Sequence, residues 1–324
     1  MPQSRNDDYL KLTPNGTPAF HREITGQLTA FAEEVAALLG PDFRALVLGG
    51  GYGRSEGACV TIDGRESLYN DLDLFIITGK SIPLPETLWQ LVHRYEQIFN
   101  IEIDIGRPLP PAQLATLPHQ LMWQDLLQGH IVLKGDEGIL RNAAPAYLDQ
   151  PLPAEEALRL LLNRGSGLLQ AMVERNETDA DPGRQPPDAD FIRRNYQKCA
   201  LALGDSLLIS LRHYPLPYAE RIEYLSRQWS PSLSDVLESY AEAIAFKQNP
   251  DSLPKTPPGP GQLAAMAAQW SRVLLHTEQE RTGRHWESPA AYSRDAFIRE
   301  RSQHRGRLLA RNIVKNLRER HLSV

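Results

Sequence analysis

The hydrophobic period of this chain changes near residue 140, and that change limits the folds open to it. Up to that point apolar residues alternate in short runs: residues 45–49 (ALVLG), 72–78 (LDLFIIT), 101–105 (IEIDI) and 130–134 (HIVLK). Period two places every second side chain on one face of a pleated strand. Between the runs lie segments with helical spacing, near residues 86–99 and 112–128, and the Gly135-Asp136 turn closes the last strand. Beyond it Leu158, Leu161, Leu162, Leu168, Leu169 and Met172 recur at steps of three and four, the spacing of a helix face. The expected fold is therefore α+β: a small mixed β-sheet domain over residues 1–140, followed by an all-helical domain over 141–324. Two proline-rich polar stretches, residues 176–190 and 249–261, read as loops between helices.

Composition bounds the function classes. The 324 residues are 41% hydrophobic and 23% charged, with a formal net charge of -5, which argues against a surface built mainly to bind nucleic acid. Basic residues nevertheless gather between 299 and 320, where they serve either a phosphate-bearing partner or the solubility of a helix. No apolar run approaches the length of a bilayer span, and the first residues lack a signal-like core, so a membrane is not an expected partner. Cys59 and Cys199 are too few for a disulfide framework, and the expected compartment is the cytoplasm.

The segment with chemical content is LVLGGGYGRSEG, followed after an intervening stretch by NDLDLFII. A strand that runs into consecutive glycines and then a helix start exposes backbone N–H groups able to hold phosphate. A glycine loop by itself equally serves a tight turn. Asp71 and Asp73 then open a strand with both carboxylates on one face. At about 6.6 Å, and an effective dielectric near 20, two such charges repel by roughly 2.5 kcal/mol, a cost that Mg²⁺ and its preference for hard oxygen ligands removes. IEIDI supplies a third acid, for which Asp104 is chosen over Glu102 because it lies nearer the strand exit, where ligands gather in such sheets. On the helix expected over 190–213, Arg194, Lys198 and Asp205 share one face, either solubilising it or pointing cations at a neighbouring site.

Taken together these segments resemble the nucleotidyltransferase superfamily that includes DNA polymerase β and kanamycin nucleotidyltransferase. Its pattern is a hydrophobic residue, Gly-(Gly/Ser), a spacer, then Asp-hydrophobic-(Asp/Glu), with a third carboxylate on a later strand. Minimal members often read like GSYARGEA, similar to the GGYGRSEG of residues 50–57. The likeness covers roughly residues 45–135. Here Gly51 stands where serine is frequent, and a longer spacer, around residues 58–69 and hairpin-like, precedes Asp71.

The resemblance implies that Gly50 and Gly51 cradle a triphosphate, that Asp71, Asp73 and Asp104 bind Mg²⁺ or Mn²⁺ and carry catalysis, and that Arg54, Ser55, Arg194 and Lys198 are candidate phosphate contacts. It implies transfer of an NMP, AMP from ATP being the first choice, onto a hydroxyl of a small molecule, protein, RNA or nucleotide. The contrasting reading is a non-catalytic nucleotide-binding regulator or antitoxin-like partner that keeps the fold, and the three retained acids count against it.

Overall fold

The computed structural model describes residues 9–180, 188–228 and 233–295. The basic stretch 299–320 lies outside the described residues.

Helix α1 (Pro18–Leu39) starts where the Thr17 side chain accepts the Phe20 N–H and Pro18 occupies the first turn. Its buried residues Phe20, Ile24, Leu28, Phe31 and Val35 recur at three and four, so one stripe packs down. Strand β1 (Phe43–Leu48) follows, then a single turn, α2 (Gly50–Gly53). The expectation of a helix opening after the glycines reduces to that one turn, because Gly53 is pinned against the Leu48 carbonyl and the chain reverses at Arg54 and Ser55. Strands β2 (Cys59–Ile62) and β3 (Arg65–Leu68) form a hairpin closed by Asp63 and Gly64 at φ 50° and 77°. Two positive values are what a two-residue type I′ loop demands, and Asp-Gly supplies them.

Next come β4 (Leu72–Thr78), α3 (Glu86–Phe99) and β5 (Ile103–Ile105). The helix expected over 112–128 is two pieces, α4 (Pro111–Leu114) and α5 (Leu121–Gln128), since Pro118 disfavours helical backbone at the residue before it. Strand β6 (Ile131–Gly135) and α6 (Ile139–Asn142) complete this part.

The sheet order is β5-β4-β1-β6, with β1 antiparallel to both neighbours and β4 parallel to β5. One face of it (Leu46, Leu48, Leu72, Leu74, Ile76, Ile103) packs on α1 and α3. The other carries Ala45, Val47 and Ile77 against Leu126, Leu127 and Leu140.

The remainder is helical: α7 (Ala154–Ala180), α8 (Ala189–Ser210), α9 (Tyr218–Gln228), α10 (Ser234–Gln248), α11 (Pro260–Thr282) and α12 (Pro289–Arg294). Residues 176–180, expected to be loop, extend α7. Helix α8 is central, packed by α7, α10 and α11, which explains why it is apolar on nearly every side past Lys198. Among the described residues no helix is long and apolar enough to cross a membrane, and both cysteines are free and buried.

Candidate active site between the sheet and the helices

Alternation along β4 sends Leu72, Leu74 and Ile76 into the core and leaves Asp73 and Phe75 on the opposite face. The parallel register sets Asp104 directly beside Asp73, flanked by the pairs Leu72–Ile103 and Leu74–Ile105. Two acids more than thirty positions apart thus become lateral neighbours on one sheet face. Asp71, exposed, immediately precedes the strand.

The glycine turn reaches the same place through β1, whose antiparallel pairing sets Leu48 opposite Leu74. Gly49 N–H donates to the Asp73 carbonyl at 2.8 Å, and Gly50 follows at φ 58°. A β-carbon on Gly50 would lie 1.9 Å from Asp73 Oδ2. Glycine is therefore required there twice, by backbone sign and by space. At Gly51 an added β-carbon would meet nothing nearer than 3.5 Å, so the serine frequent in the resembling family would fit.

Tyr52, buried inside the glycine motif, locks the turn to the acids. Its hydroxyl donates to the Ala58 carbonyl at 2.8 Å and accepts the Tyr69 and Asn70 N–H groups at 3.0 and 3.3 Å, just ahead of Asp71. Sequence reasoning passed over it, although an aromatic residue between glycines was a signal.

Above the acids lies a cavity of about 1060 Å³ whose opposite wall belongs to the helices. Arg164 comes from α7, Arg194 and Lys198 from α8, and Lys247 from α10. Burial pushes the Asp73 carboxyl up to about 6, reinforced by Asp71 and Asp104 and opposed by Lys247 and Arg54. Desolvation pushes the Lys247 ammonium down to about 8, with Asp71 pulling the other way. Lys198 is lowered by desolvation within the cleft and by Arg164, while Asp71 and Asp73 oppose the shift. Asp73 on one wall and Lys198 and Lys247 on the other are each shifted towards the neutral form, and a phosphate chain with a divalent cation would relieve both sides.

Arg164 and Lys247 were missed by sequence reasoning. The signal was present: Arg164 falls between Leu161 and Leu168 on the buried stripe of α7, and Lys247 continues the stripe of Tyr240, Ala243 and Ile244. A cation on an apolar stripe needs a reason to be there.

Other expected contacts are engaged elsewhere. Arg54, its side chain 8% exposed, lines the cavity and pairs with Glu56 at 3.3 Å and Asp125 at 3.4 Å. Ser55 has φ 63° and stands outside the lining of the cavity. Arg194 pairs with Asp190 at 3.0 Å. Asp205, on the face shared with Lys198, is bound to Arg221 at 3.1 Å and to the Tyr240 hydroxyl at 2.7 Å, a buried structural pair.

The inserted hairpin fastens the two walls together. Tyr69 donates to Asp190 at 2.6 Å, its ring meets Phe246 at 6.0 Å, and Thr61 N–H donates to Asp251 at 2.8 Å. Tyr218 N–H donates to Glu56 at 3.0 Å on another edge.

Among the described residues no three His, Cys, Asp or Glu side chains gather tightly enough to hold a metal ion by themselves. Mg²⁺ does not require that, since it keeps waters and takes one or two carboxylates together with substrate phosphates. The Asp73–Asp104 pair, with Asp73 raised by burial and by its acidic neighbours, fits such an ion.

No family model matches the chain, and no curated protein matches it. Among solved structures, a complex of tri-AMPylated Shewanella oneidensis HEPN toxin with MNT antitoxin is similar at 14% identity, over 36% of this chain and 82% of that one, with a TM-score of 0.22. A likeness that slight carries no argument, and the site rests on its own geometry.

Proposed function

We propose that this chain is a metal-dependent nucleotidyltransferase that moves an NMP, AMP from ATP as the first choice, onto a hydroxyl acceptor and releases pyrophosphate. The observation that carries the reading is the placement of Asp73 opposite Asp104, beside Gly50 and beneath the cations of the helices. Asp73 and Asp104, with Asp71 just ahead of the strand, would hold Mg²⁺ or Mn²⁺ together with substrate phosphates and water. When bound, the metal offsets the triphosphate charge and lowers the pKa of the acceptor hydroxyl.

The residues divide the remaining work. Lys198, Lys247 and Arg164 bind the triphosphate and neutralise the departing pyrophosphate. The N–H groups at Gly50 and Gly51 open the α2 turn, which gives them no partner within it, and would be available to the phosphate chain. Asp104, exposed at the middle of β5, accepts the proton of the acceptor hydroxyl as its oxygen bonds to the α-phosphorus and the bond to pyrophosphate breaks.

The convergent cations alone would also suit a nucleotide-binding regulator, which binds NTP without turnover. Incubation with each α-labelled NTP, Mg²⁺ or Mn²⁺ and cell extract separates the two readings. Label on an acceptor is expected, and Asp71→Ala or Asp73→Ala should reduce it at least about a hundredfold while leaving the fold intact. Undiminished transfer in both variants removes these acids from the mechanism, and calorimetry showing no Mg-dependent NTP association overturns the reading.

A further inference from the structure

The cavity stands at the upper end of the volumes that small-molecule sites ordinarily occupy, and its lining changes character along its length. The cations face the acids and glycines. Away from them the lining is mainly apolar and aromatic, with Gln113, Thr116 and Gln120 interspersed, and it begins at once: Phe75 is the next residue after Asp73 on the same face of β4, about 6.6 Å along the strand. The Phe75 ring meets Trp123 at 5.9 Å, Leu109 and Leu117 back them, and Met122 is 54% exposed at the rim.

Resting on the nucleotidyltransferase reading, we infer that this end of the cavity is the acceptor subsite and that it takes a hydroxyl borne by an aromatic body, uncharged or singly anionic.

The charge inventory supports that class. A polycationic acceptor needs free carboxylates, and each of those lining the cavity other than Asp73 and Asp104 already has a cationic partner. Asp125 pairs with Arg54, Asp205 with Arg221, and Glu156 with Arg159 and the Leu121 N–H. A nucleic-acid strand draws its affinity from many phosphate contacts. Here Arg159 is tied to Glu156, leaving Arg107, exposed beyond Asp104, as the cation at this end. One arginine beside an apolar floor suits a single carboxylate on an aromatic ring. Ring edges and faces at Phe75 and Trp123 provide the stacking surface.

The test uses the full chain without nucleotide. 4-Hydroxyphenylacetate, kanamycin and a short RNA are titrated by calorimetry and by tryptophan fluorescence, and Mg-ATP is titrated separately. The phenolic acid is expected to bind and to quench fluorescence. Trp123→Leu should weaken it about tenfold, a loss near 1.4 kcal/mol, and abolish the quench, while Mg-ATP binding stays intact. Met122→Glu, at an exposed position away from the core, sets a like charge beside the ligand's carboxylate and should weaken it as well. Equal binding by both variants, or a preference for kanamycin or RNA, overturns the inference. Failure of Mg-ATP to bind the parent chain overturns the transfer reading instead, and the phenol titration still decides the aromatic subsite.

Discussion

Gly50→Ala adds one methyl group at the point where backbone sign and the acid site coincide. At φ 58° an L residue incurs about 1–2 kcal/mol relative to glycine. The methyl would also stand 1.9 Å from Asp73 Oδ2. Ordinary contact begins near 3.5 Å, so the carboxylate must retreat by about 1.5 Å. Misplacement of a reacting group by about 1 Å can cost a hundredfold. Gly64→Ala is the control: at φ 77° in the hairpin loop it incurs the same backbone strain, but nothing lies within 4 Å of the added carbon. Thermal melts should fall in both variants, by at least as much in Gly50→Ala, at about 2–4 °C per kcal/mol. Calorimetric titration with Mg-ATP should separate them, with Gly50→Ala losing about a hundredfold in affinity and Gly64→Ala keeping the parental value. Parental Mg-ATP affinity in Gly50→Ala, or an equal loss in both, would refute the assignment of Gly50 and Asp73 to one site.

Lys247→Met should raise thermal stability by on the order of 1–2 kcal/mol near neutral pH, because the ammonium, held near 8, is charged there at a cost to the folded state; Mg-ATP affinity should fall, and unchanged affinity would remove Lys247 from the phosphate wall. Asp205→Ala strands the buried Arg221 guanidinium and should cost about 3–5 kcal/mol in urea denaturation, whereas a loss under about 1 kcal/mol would show that the pair is not structural. His130, held by the Leu126 carbonyl at 2.9 Å, has its pKa lowered by burial. The folded state therefore disfavours the proton, so full stability holds above the unfolded value near 6.5 and is lost as pH falls below it. Unfolding free energy of the parent relative to His130→Gln should decline between pH 7 and 5, and a flat difference would contradict the burial of the ring.

Local pattern was enough for the strands, since a period of two or of three and four is a property of neighbouring residues. Leu72–Thr78 and Glu86–Phe99 have the bounds the pattern implies. The carboxylates were legible for the same reason: Asp73 and Asp104 each sit in an alternating run whose buried side is unmistakable. Pro118 and the pinned Gly53 show where local reading stopped, because a helix pattern says nothing of the turn that interrupts it.

The sequence by itself determined which residues share a strand face, where glycine must bend the chain, and that a helical half follows a mixed sheet. Only the tertiary structure decided that Asp104 stands beside Asp73, that Arg164 and Lys247 look down on them, and that Arg54 and Asp205 are spent on ion pairs. The physical reason is that periodicity orients a side chain relative to its own backbone, whereas strand register and helix docking depend on how distant surfaces exclude water together. A charge finds its partner only after that packing is complete.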